Sequence, residues 1–213
     1  MKSHPSPNNI EKQAHELAYK LAGERLKSID IEQLCHRSGA QYADHNSIII
    51  EYLNRSYLVT VPSIEVSLKD NKEEVPLKDK ILILHYLTLA KGTPVANKLI
   101  TFRQLPAGTS YFAAFSQRAI KPLLDYFGSK PQLLIDIAAN LGGYKANYGD
   151  VAITINAFSR VPVTFALWQG DEEFPPNGSI MFDASIPDYL STEDVTILCE
   201  TIIWKLVKSL RGL

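Results

Sequence analysis

The chain has 213 residues, 46% of them hydrophobic and 21% charged, with a net charge of −1 and a pI near 6.5. That is ordinary globular usage for one domain, or at most two small ones, with enough apolar material to build a core without staples. There is no basic excess of the kind a phosphate backbone demands and no run of Lys or Arg for an anionic bilayer, so nucleic acid and membrane drop out as expected partners.

The opening residues MKSHPSPNN are polar and carry no apolar stretch. They do not read as a secretory signal, so residues 1–9 are expected to form a disordered tail and the compartment is expected to be cytoplasmic. From there to residue 213 a single α+β domain is expected. Asn8 or Asn9 can cap a first helix reaching about Ser28, with Ile10, Ala14, Leu17, Ala18, Leu21 and Leu26 as its inward stripe. Asp30 opens a short second helix that carries Ile31, Leu34 and Cys35 inward and stops at Gly39. The period then changes to two. Ser47–Leu53 and Ser56–Val61, separated by Asn54-Arg55, predict a β-hairpin, with a third strand near Ile64–Leu68.

Pro76 suits the first turn of a helix ending near Lys91, before Gly92 and Pro94. Its run from Ile81 to Ala90 is apolar on nearly every side. Too short for the ~20 residues of a membrane span, it predicts a buried central helix that contacts the sheet. Leu99–Phe102 suggests a short strand before the loop Gln104–Gly108. A helix over Thr109–Phe127 follows, with Pro122 as a point of bending, and Pro131 opens another helix that ends at Gly142-Gly143. Val151–Ala157 and Val161–Trp168 alternate as strands, the loop GDEEFPPNG leads to a strand over Ser179–Phe182, and Ser191 with Asp194 has capping-box spacing before a long amphipathic helix. Strands joined as hairpins in two groups predict a largely antiparallel sheet packed against several helices.

Three places could carry chemistry. Asp171, Glu172 and Glu173, with Asp183 beyond the next strand, offer carboxylates that a hard cation could use. They lack EF-hand spacing and any histidine, and a solvated acidic turn explains them as well, so no tight metal site is expected. Glu193 and Asp194 read as helix N-terminal acids. His85 stands alone in the apolar helix, where it can be a packed, hydrogen-bonded histidine, a ligand to a metal or tetrapyrrole, or a base. In Thr101–Phe112, a Pro/Gly loop leads into a helix start with Thr109 and Ser110; Arg103 would give a fixed charge to an anion and Tyr111 a stacking face. A structural turn with a salt-bridged arginine, to Asp150 or Asp183 for example, is the alternative. Walker A, GxGxxG, GxSxG, HExxH and SxxK patterns are absent. Cys35 and Cys199 form no CxxC or Cys/His cluster and sit on expected core faces, so both should be unpaired, shielded and inert.

FRQLPAG, the YFG of Tyr126–Gly128, the LGG of Leu141–Gly143, Gly149-Asp150 and the segment WQGDEEFPPNGSIMFDASIPDYLSTED occur here in order. This series resembles the family known as domain of unknown function 3786, found mainly in anaerobic bacteria and archaea, most strongly from Leu82 to Asp194. Where the family's arginine motif reads with Glu and a Gly pair, Gln104 and Ala107 stand here, and the iron–sulphur segment of some members has no counterpart. The resemblance implies a common centre for Arg103, Tyr111, Trp168, Glu173 and Asp183, a setting in anaerobic metabolism, and no reaction. The leading expectation is therefore a ligand- or cofactor-binding accessory protein, with an anionic small molecule or cofactor, or a protein of anaerobic metabolism, as partner. A small metal-assisted hydrolase and a protein–protein adaptor without a small-molecule site remain as alternatives.

Overall fold

The computed structural model describes residues 7–44 and 46–212. In chain order, helices α1 (Pro7–Lys27) and α2 (Ile31–Ser38) precede an antiparallel meander of β1 (Gln41–Asp44), β2 (Ser47–Tyr52), β3 (Arg55–Thr60) and β4 (Glu65–Leu68). Helix α3 (Leu77–Leu89) leads to β5 (Leu99–Thr101), then α4 (Gly108–Phe115), α5 (Lys121–Phe127) and α6 (Gln132–Ala138). Strands β6 (Tyr144–Ala146), β7 (Val151–Phe158), β8 (Val161–Trp168) and β9 (Asn177–Asp183) follow, and α7 (Thr192–Arg211) ends the described chain. The second sheet is antiparallel, in the order β5-β9-β8-β7-β6. The architecture is α+β.

Helix α3 is the central helix. Ile81, Leu82, Ile83, Leu84, Tyr86 and Leu87 are all buried on it. It lies along α1 and touches α2 and α7, while the Tyr86 ring stacks on Phe158 of β7, centroids 4.0 Å apart. An apolar surface on every side suits a helix covered on every side, and here it meets both helices and sheet. Strands β7 and β8 are likewise buried on both faces over most of their length. Thr154 and Thr164 can be buried there because their hydroxyls bond one another at 2.8 Å.

Three local expectations need correction. On α1, Leu17 and Leu21 are 56% and 60% exposed, and among the described residues the buried ones are Ala22, Gly23 and Leu26. Two apolar stripes compete on this helix, and the one with small residues wins because it permits close approach: a Cβ on Gly23 would lie 2.8 Å from the Ile64 side chain. The hairpin turn is Leu53-Asn54, one residue earlier than expected, with φ of 48° and 62°. A two-residue turn with both φ positive matches the strand twist. Leu53 tolerates it because its side chain is buried and its N–H donates to the Ala157 carbonyl of the other sheet. The helix expected over Thr109–Phe127 is divided by a π-helical stretch, Ser116–Ile120, just ahead of Pro122. Proline lacks the N–H for a regular turn and its ring crowds the preceding carbonyls, so the chain widens there.

Helix α1 starts at Pro7, ahead of the expected Asn8/Asn9 cap. Residues 1–6 of the expected tail, and the side chain of Ile10, lie outside the described residues. Cys35 and Cys199 are free and buried, and burial pushes both thiols up in pKa.

Candidate functional site

Asp194 is the third residue of α7. Its Oδ2 accepts from the Ser191 N–H at 3.1 Å and the Ser191 hydroxyl at 2.6 Å, completing the capping box. Its other oxygen, Oδ1, lies 2.7 Å from Nδ1 of His85 on α3. Burial pushes the Asp194 carboxyl up, but the hydrogen bonds from His85 and Ser191 outweigh it and hold the group below the ordinary carboxylate range. One short side chain therefore caps a helix and fixes a histidine.

The pair opens onto a cleft of about 680 Å³ between α1, α3, the π-helical stretch and α7. On α3, Lys78, Ile81, Leu82 and His85 share one face at spacings of three, four and seven, and on α7 Glu193, Ile197 and Glu200 do the same, with Asp194 beside them. His15 and Ala18 approach from α1. The π-helical stretch supplies Arg118, whose guanidinium donates to Glu200 at 2.6 Å. A second groove of about 340 Å³ shares Lys78 and Glu200 with the cleft and continues past Trp204 and Lys208. Beside it Asp79 is 2% exposed, accepting from the Tyr52 hydroxyl at 3.0 Å and from Lys205 at 2.9 Å.

The other residues singled out from the sequence do not join this cleft. Arg103 is exposed, its guanidinium carbon 3.6 Å above the Phe112 ring at the edge of a groove of about 190 Å³. Among the described residues it forms no ion pair with Asp150 or Asp183. Tyr111 is exposed nearby on α4. Asp183 is buried and accepts from the Ala96 N–H, the Ser185 N–H and the Ser185 hydroxyl. Burial raises its pKa, these hydrogen bonds outweigh it, and the net shift is downward. Trp168 pairs with Asn177 at the opposite end of β9 from Asp183, six residues or roughly 20 Å away. Glu173 is exposed in the loop between β8 and β9, where Asp171 accepts from the N–H groups of Glu173 and Phe174 in a local turn. Among the described residues no three His, Cys, Asp or Glu side chains gather as a metal would need.

His85 was visible in the sequence as a lone polar residue on an apolar helix, and Asp194 as a cap. Their partnership spans 109 positions, and no linear signal joins them. Arg118, Lys78 and His15 carry no motif at all.

No curated protein and no solved structure matches the chain. The family model described as Domain of unknown function (DUF3786) matches residues 30–205. That span holds α2 through most of α7, including His85, Arg118 and Asp194, and the chain belongs to this family.

Proposed function

We propose that the protein binds a small molecule in the cleft between α1, α3 and α7, as a ligand- or cofactor-binding accessory protein. The observation that supports this is the convergence of His85, Asp194 and Arg118 on a cleft of about 680 Å³ whose remaining wall includes Ala18, Ile81, Leu82 and Ile197. Ligand sites are typically of this size, mostly apolar, with a few placed polar groups. The setting in anaerobic metabolism rests on the family resemblance.

The test is a thermal-shift screen of metabolite-sized anions and cofactors against the protein and against Ile197→Trp, which fills the cleft. A ligand at a hundred times its Kd adds about 2.7 kcal/mol of stability, so the unmodified protein should rise in Tm and the variant should not. Equal shifts in both, or none across the screen, would overturn the reading.

Arg103 is kept as a second anion-binding position, supported by its exposed guanidinium over Phe112. Arg103→Lys keeps the charge and loses the fork. It should weaken phosphate binding without changing stability, and unchanged phosphate binding would remove the position.

A further inference from the structure

We propose that His85 is a proton-transfer residue. Its Nε2 takes a proton from, and returns one to, an anionic small molecule held in the cleft, with Asp194 as its positioning residue. This rests on the reading of the cleft as a small-molecule site.

The argument begins with how the Asp194 oxygens are used. Oδ2 is taken by Ser191, and Oδ1 faces His85 Nδ1. An ionised carboxylate can only accept, so His85 donates from Nδ1, and in the neutral ring that leaves the lone pair on Nε2. Among the described residues Nε2 has no hydrogen-bond partner, and no buried side-chain polar atom is left unsatisfied. Nε2 is therefore accessible, on a side chain that lines the cleft. This is the arrangement in which a carboxylate orients a histidine for acid–base work.

Among the described residues no serine hydroxyl or cysteine thiol is hydrogen-bonded to His85 as a nucleophile would be. The Ser191 hydroxyl donates to Asp194 rather than to His85, and Cys199 is buried. That points to proton transfer rather than to a histidine-activated serine or cysteine. The anionic character follows from Arg118, whose guanidinium has five donors while Glu200 takes one at 2.6 Å. Among the described residues, the other charged or titratable groups lining the cleft are His15, Arg118, Glu193 and Glu200 on neighbouring elements and Lys78 on α3 itself. In the step itself a C–H or O–H bond of the substrate breaks and an N–H bond forms at Nε2. The electron pair stays on the substrate, and the imidazolium gives its proton back to the product or to water.

Two measurements test this. The first needs no variant. Long-range proton–nitrogen NMR of the histidine rings should show His85 as the Nδ1–H tautomer, with that preference lost in Asp194→Asn. An Nε2–H tautomer in the unmodified protein would falsify the proposal. The second uses 5-nitrobenzisoxazole, whose C–H is removed by a base as its N–O bond opens to a cyanophenolate. His85→Gln should lower kcat at least about tenfold with KM little changed, and Asp194→Asn should alter the pH profile. Benzoate should compete, with Arg118→Met weakening it about tenfold; a failure to compete would remove the anionic substrate class. Turnover equal in His85→Gln and the unmodified protein, with benzoate still bound, would sink proton transfer and leave the ligand-binding reading intact. Turnover and benzoate binding that both survive Ile197→Trp would sink the ligand-binding reading itself.

Discussion

Helices α3 and α7 meet at two acid–base pairs, Asp79 with Lys205 and His85 with Asp194. The first is closed at its carboxylate: the Asp79 side chain is nearly inaccessible and the Tyr52 hydroxyl of β2 completes its shell, while the partly exposed Lys205 spends its charge on Asp79. In the second the carboxylate is equally enclosed, but the histidine keeps one nitrogen for the cleft. Similar chemistry serves structure at one end of the contact and presents a reactive atom at the other. What separates them is whether each polar atom has a partner within the fold.

Stability measurements can break this comparison. The largest effect is expected at the closed pair. Lys205→Met leaves the buried Asp79 charge with only a hydroxyl, and should cost about 3–5 kcal/mol in urea unfolding, while Asp79→Leu combined with Lys205→Met should recover much of it. A loss under about 1 kcal/mol would mean that Asp79 is not enclosed as described. At the open pair, Asp194→Ala removes a capping acceptor and the histidine's partner together and should cost about 2 kcal/mol. His85→Gln should cost less than either, since its free nitrogen satisfies nothing in the fold.

Acid sharpens the comparison further. The Asp194 and Asp183 carboxyls are held below the ordinary carboxylate value of 3.8. A group depressed on folding binds fewer protons in the native state, so its contribution is complete above the unfolded pKa and is lost as pH falls through the lower folded value. The contribution of these two carboxyls should therefore be complete above about pH 5 and decline below about pH 4, and Asp194→Asn should make that decline shallower. An unchanged acid limb in the variant would show that the Asp194 shift contributes nothing to folding.

The smallest effect is kinetic. Cys199 lies on α7 between the two pairs and is fully buried, so its labelling by a thiol reagent reports opening of that helix. Lys205→Met should speed labelling more than His85→Gln does. The reverse order would invert the assignment of the closed and open pairs.

The fold was largely legible because most of its elements are set by periodicity. The Ser191 capping box, the Asp30 cap whose carboxylate accepts from the Gln33 N–H, and the apolar run from Ile81 along α3 all lie where local chemistry puts them. What could not be read was decided by neighbours. The stripe of α1 depends on how closely Gly23 meets Ile64, forty-one positions away. Strands β1 and β6 are short edge strands, mostly or wholly exposed, that alternate nothing. The hairpin turn settled on a leucine because a carbonyl from another sheet accepts its N–H. The cleft shows the same limit: each half of the His85–Asp194 pair has a local signature, and their meeting is tertiary.

The two tryptophans of the chain, Trp168 and Trp204, are 39% and 45% exposed. In the folded protein their fluorescence should already resemble that of indole in water, so emission wavelength will follow unfolding poorly. The near-ultraviolet circular dichroism should follow it well, because Tyr52, Phe158, Tyr86 and Tyr189 stack in succession with centroids 4.8, 4.0 and 5.7 Å apart and lose their fixed geometry together. Trp204 borders the groove that shares Lys78 and Glu200 with the cleft, and it is well placed to be dimmed or brightened when a guest arrives. The molecule thus carries separate optical readouts, one for its core and one for its occupancy.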